Sequence, residues 1–178
     1  MKITRIVFLI IYFALFTYHC LSSLQSASES SELSMGITEI VVKIIESFKQ
    51  EVKDVDKLHS IVRKVIGHFA YFGLIGLFGF LTYYFFTESL KYTLIFTTIS
   101  GALMALESEL LQFFASERGP SIVDALIDYS GYVLASIALF VIVYIAKQIK
   151  KKKMTKGNGA FKELEWKIKK WILDYYIN

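Results

Sequence analysis

Four apolar runs, each long enough to cross a bilayer and nearly free of charge, constrain this chain more than any other feature. Positions 6–28 and 65–87 hold no Asp, Glu, Lys or Arg. The run 92–115 holds only Glu107 and Glu109, and 122–146 holds only Asp124 and Asp128, both near its start. A spanning helix needs about 20 such residues, because a rise of about 1.5 Å per residue must cover roughly 30 Å of hydrocarbon. No proline interrupts the runs, so each can satisfy its backbone internally as a helix. Helices are therefore expected over about 5–24, 65–86, 92–114 and 122–146. Composition agrees: 54% hydrophobic and 20% charged residues, with a mean hydropathy of +0.48, exclude an ordinary water-soluble globule. A single cysteine excludes a disulfide framework and a multi-thiolate zinc site.

Lys2 and Arg5 before an apolar run also describe a signal peptide. The run is long enough to span, and Thr17, Tyr18 and His19 before Cys20 are too bulky for a lipoprotein cleavage site, so it is read as a retained helix. The chain from 147 onward carries ten Lys/Arg against three acids. A basic end on an apolar body fits a membrane surface, and no nucleic-acid partner is expected. Lys147, Lys150, Lys151, Lys152, Lys153 and Lys156 follow the fourth helix and place that end in the cytoplasm. Four crossings then bring the N-terminus inside too, although 25–64 carries six Lys/Arg among seven acids. The expected organisation is a membrane domain over 5–147 and a basic cytoplasmic tail over 148–178.

Seven serines between 22 and 34 read as a loop. From Ile37, apolar Ile40, Val41, Ile44, Ile45, Phe48 and Val52 recur at helical spacing, with Glu39, Lys43, Glu46, Lys49 and Lys53 elsewhere on the wheel. The outer segment 25–64 should thus contain an amphipathic helix. A second one is expected at Phe161, Leu164, Ile168, Trp171, Ile172 and Tyr175, suited to an anionic inner leaflet. The whole is an all-α integral membrane fold: four transmembrane helices, an outer amphipathic helix and a C-terminal cytoplasmic amphipathic helix. Small residues at Gly67, Ala70, Gly73, Gly76 and Gly79 form a stripe along the second helix that should pack closely on a neighbour.

Ionisable residues inside a membrane are costly and mark functional candidates. Lys64 and His68 open the second helix; Glu109 and Gln112 close the third; Arg118 sits in the short loop; Asp124 and Asp128 open the fourth. In the expected topology all lie on the extracytoplasmic side. Lys64/His68 and Asp124/Asp128 are four apart and Glu109/Gln112 three apart, so each pair shares a helix face. The bland account is a neutralising network, with Arg118 paired to Glu109 or Asp124 and Ser121 capping the fourth helix. A metal site from His68, Glu109 and Asp124, or a magnesium and phosphate site on Asp124/Asp128, lacks a dense ligand motif, so no metal and no cofactor are expected.

The segment ESELLQFFASERGPSIVDALIDYSG resembles the signature of VanZ-like membrane proteins through Glu109, Gln112, Arg118, Asp124 and Gly131. RKVIGHFAYFGL is similar to that family's upstream element through Lys64, His68 and Phe69. Ser108 stands where the family often has Asp, and Asp128 where Asn is common. The resemblance implies a bacterial, multi-pass cytoplasmic-membrane protein and a link to glycopeptide (teicoplanin) susceptibility. The leading functional reading is an outward-facing polar pocket of Lys64, His68, Glu109, Gln112, Arg118 and Asp124. It would bind an anionic cell-envelope lipid or wall precursor, with the cations on the ligand. One alternative is a membrane-embedded enzyme acting on such a lipid, with His68 as general base. Another is a structural accessory subunit, in which the polar network only holds helices together. Neither the oligomeric state nor the ligand's identity can be read from the residues.

Overall fold

The structure, a computed structural model, describes residues 2–177 and falls into two compact units, Met1–Phe140 and Val141–Asn178. Its helices are α1 (Lys2–Ser23), α2 (Ala27–Ser47), α3 (Val55–Val62), α4 (Tyr71–Thr87), α5 (Leu90–Gln112) and α6 (Ile122–Ile177). A π-helical stretch, Arg63–Ala70, joins α3 to α4 without a break. No strand occurs among the described residues. Four helical segments are long and apolar enough to span: Ile3–Ser23, Val55–Thr87, Leu90–Gln112 and Ile122–Lys170.

In the first unit the spans meet around Tyr132, which is wholly buried with Tyr12, Phe72, Ile75, Met104 and Ala105. Its hydroxyl lies 2.9 Å from Ser100 Oγ and 3.2 Å from Tyr12 Oη, so the ring's polar end is satisfied inside the apolar core. Three glycines make room for it. A methyl group at Gly76 would collide with the Tyr132 backbone, and one at Gly79 or Gly101 with its side chain. Ser136 Oγ donates to the Gly76 carbonyl at 3.2 Å, tying α6 to α4 at the same level. Outward-facing Ile6, Ile10, Phe13, Ile99, Leu103, Leu106 and Leu134 remain exposed, as lipid-facing positions do.

The small-residue stripe is only partly the packing face expected. Gly73, Gly76 and Gly79 pack against α6 or α1, whereas a methyl group at Gly67 would meet nothing within 4 Å and Ala70 is exposed. The π-helical turn explains the difference: its wider winding rotates the residues before Tyr71 out of the α-helical register.

The serine-rich segment is not the loop expected through residue 34. Ser26 forms a complete capping box with Glu29, so α2 starts at Ala27 and the later serines sit in its first turns. The outer helix ends earlier than expected, at Ser47, where Lys49 takes the left-handed conformation (φ 60°). A separate short helix, α3, then leads into the second span. The turn between α4 and α5 is as tight as anticipated; Glu88 there is left-handed and its carboxylate pairs with Arg5 of α1.

The second unit is helical throughout its described residues. The helix expected to stop at 146 continues as α6 to Ile177, through the lysines and through Gly157, Asn158 and Gly159, which helix propensity alone does not favour. The amphipathic C-terminal segment is therefore part of α6, not a helix of its own. Glu163–Lys167 (2.9 Å) and Glu165–Lys169 (3.0 Å) pair one turn apart, and Lys170 stands 5.3 Å over the Trp166 ring. The side chains of Trp171, Ile172 and Tyr175 lie outside those described.

Candidate functional site

All six residues singled out from the sequence come together in the first unit, where α1, the π-helical stretch, α5 and the start of α6 end near one another. Lys64, His68, Gln112, Arg118 and Asp124 line one cavity of about 250 Å³, together with Ser60, Arg63 and Glu117. Glu109 stands behind its wall, 5% exposed. Glu109 accepts hydrogen bonds from Gln112 Nε2 (3.3 Å) and from the Ser121 backbone N–H (2.5 Å). Ser121 in turn accepts from Asp124 N at 3.2 Å. The cap at the start of α6 is thus shared between two helices: Ser121 satisfies Asp124, and Glu109 of α5, not Asp124, holds the Ser121 N–H.

Arg118 is not in the direct ion pair with Glu109 or Asp124 that the sequence suggested, although both carboxylates act on it electrostatically. It forms no ion pair among the described residues; Nη1 reaches only the Gln25 carbonyl, at 3.5 Å. The loop that carries it is fastened to the α1–α2 turn by the Ala27 N–H on the Ser116 carbonyl, 3.1 Å. Burial first, and then the Arg63 guanidinium, lower the Arg118 pKa, against the opposing pull of Glu109 and Asp124. Two guanidinium groups are therefore held close enough to repel each other in a partly desolvated place, a combination that an anion relieves.

His68 is oriented from behind. Its Nδ1 donates to Asp128 Oδ1 at 3.0 Å, and Asp128 is fully buried. The other ring nitrogen, Nε2, has no hydrogen bond among the described residues, on a side chain that lines the cavity. The Asp128 Oδ2 atom has no hydrogen-bond partner within ordinary geometry. A chain of buried polar groups continues on the far side, with Ser108 Oγ 3.4 Å from Ser23 Oγ and Ser23 Oγ 3.4 Å from His19 Nε2. Among the described residues no group of three or more His, Cys, Asp or Glu is placed to hold a metal ion.

Sequence reasoning missed Arg63 and His19 and left Asp128 without a role. Arg63 was legible: with Ser60, Lys64 and His68 it follows the three- and four-residue spacing of one helix face. His19 carried a usable signal: an ionisable side chain within an uncharged spanning run.

The cavity gathers three cations, Arg63, Lys64 and Arg118, against two carboxylates, Glu117 and Asp124, with His68 and Gln112 as hydrogen-bonding groups. No curated protein and no solved structure matches the chain. A sequence profile of the VanZ/LLP1 family does, over residues 7–144, which spans α1 through most of the apolar part of α6 and takes in every residue of the cavity. The chain belongs to the VanZ/LLP1 family of membrane proteins.

Proposed function

We propose that the protein binds an anionic component of the cell envelope in this cavity, at the extracytoplasmic face of the bacterial cytoplasmic membrane. The single observation that carries the reading is Arg118. It is a half-buried guanidinium that makes no direct ion pair among the described residues, beside a second one, in a cavity that Lys64 and His68 also line. A buried charge is retained against its desolvation cost when it has something to bind. Sidedness rests on the lysines after 146, which favour a cytoplasmic tail and thereby an outward-facing cavity. Sequestration of a lipid headgroup or a wall precursor there would change what a glycopeptide such as teicoplanin meets at the membrane surface.

Mass spectrometry of lipids that copurify with the protein tests this. An anionic species is expected with the wild type, depleted at least about tenfold in Arg118→Ala and Arg63→Ala, a loss of the size of one charge-assisted hydrogen bond. It should be retained in Lys43→Ala, an exposed position on α2. Equal lipid content in all four proteins would overturn the reading. The Asp128–His68 pair favours a second reading, an enzyme in which His68 Nε2 takes a proton during chemistry on the bound headgroup. Turnover of an envelope lipid, with a pH–rate profile lost in His68→Gln, would separate the two.

A further inference from the structure

A second chamber of different character adjoins the cationic cavity. This chamber, of about 260 Å³, shares Arg63, His68, Gln112 and Arg118 with the first. Away from those shared residues its walls combine four serines, Gln25 and His19 with apolar and aromatic groups: Tyr18 and Tyr71, Leu33 and Ile37 of α2, and Ile66 of the π-helical stretch. Tyr71 is fixed in place by its hydroxyl on the Leu15 carbonyl, 2.9 Å. Tyr18, Leu33, Ile37 and Ile66 are each exposed by 40% or more, so this side of the chamber is open to its surroundings. Each chamber is close to the lower bound for small-ligand sites, about 300 Å³.

A cationic compartment beside a more apolar one is complementary to a molecule whose charge sits directly beside a chain. We infer that the two chambers together take one phosphate-bearing lipid, its headgroup between Arg63 and Arg118 and the first methylenes of its chain against Ile37, Ile66 and Tyr71. This rests on the anion-binding reading above and narrows it: a soluble phosphate would use half the site. The open apolar side lets the rest of the chain remain in the bilayer, so the chamber needs to hold only the part nearest the headgroup. Gly67 has a defined place in this arrangement. It lines the apolar chamber, and a Cβ atom added to it would meet nothing within 4 Å, so a larger residue can start from this position toward the chamber without a clash at its first carbon.

The test uses the full chain in phosphatidylcholine nanodiscs, with binding to empty nanodiscs subtracted. Dihexanoyl phosphatidate and glycerol 3-phosphate carry the same phosphate with and without chains. The wild type should bind the phosphatidate more tightly by at least about tenfold, since each buried methylene is worth roughly fourfold. Gly67→Phe should abolish that advantage and leave glycerol 3-phosphate binding unchanged; Arg118→Ala should weaken both. Equal affinity for the two probes in the wild type, or a chain advantage that survives Gly67→Phe, would overturn the two-chamber site while leaving the anion reading intact. Failure of the wild type to bind either probe would overturn both.

Discussion

Asp128 and Glu109 are the residues on which the site's geometry depends, and neither needs to touch a ligand. Each is a buried carboxylate that positions a neighbour: Asp128 the His68 ring, Glu109 the Gln112 amide and the first residue of the α6 cap. Asp128→Leu leaves His68 Nδ1 unsatisfied beside a buried apolar group and should lower stability by about 1–3 kcal/mol. Asp128→Asn keeps an oxygen that can accept the same bond and should cost less. Thermal unfolding of the three proteins in one detergent checks the order, and equal loss in both variants would deny Asp128 its positioning role. Glu109→Ala orphans two donors at once and should be at least as damaging as Asp128→Leu, whereas Glu109→Gln retains one acceptor and should fall between. The six site residues could be collected from the sequence because polar side chains stand out against apolar runs. Their partners could not. Whether Arg118 meets Glu109, Asp124 or a backbone carbonyl is a matter of ångströms set by the loop 113–121, where Glu117 takes φ 61°.

At the scale of the elements, glycines and caps decide how the helices meet. Gly101→Ala would drive a methyl group into the Tyr132 ring in the centre of the core, and overpacking of that kind costs about 1–3 kcal/mol. Gly36→Ala, on α2 with open space around it, should do the opposite and stabilise by about 0.5–1 kcal/mol through helix propensity alone. Unfolding measurements on the pair should therefore move in opposite directions; the same sign for both would contradict the packing described. The α2 capping box gives a pH dependence. Hydrogen bonds from the Ser26 backbone and side chain hold the Glu29 carboxyl below its ordinary pKa, so its contribution is present at neutral pH and is lost as pH falls through the carboxylate range. Glu29→Gln should lower the helicity of a 24–50 peptide at pH 7 and remove its decline below pH ~4, as followed by circular dichroism. Ser26 with Glu29 was a readable start signal within the serine-rich stretch. Counting serines as loop formers obscured it, because the same hydroxyl that favours a turn also caps a helix.

For the whole molecule, the membrane topology is the property on which the functional proposal depends. A cysteine introduced at Ser30, in a protein whose Cys20 is replaced, should react with an impermeant thiol reagent in intact cells, and one at Gly157 should not. The reverse pattern would turn the cavity toward the cytoplasm and remove the envelope reading. What the sequence by itself determined was the membrane class, the number of spans and the clustering of polar residues near one end of them. These follow from hydrophobic length and from the cost of charge in hydrocarbon, which act residue by residue and need no knowledge of neighbours. Only the tertiary structure decided which polar groups satisfy each other and which face the cavity. It also set a second, more apolar chamber beside the cationic one, with four lining residues in common. Those outcomes depend on side chains brought together from segments as distant as Tyr18, Gly67 and Arg118, and no local pattern along the chain encodes that proximity.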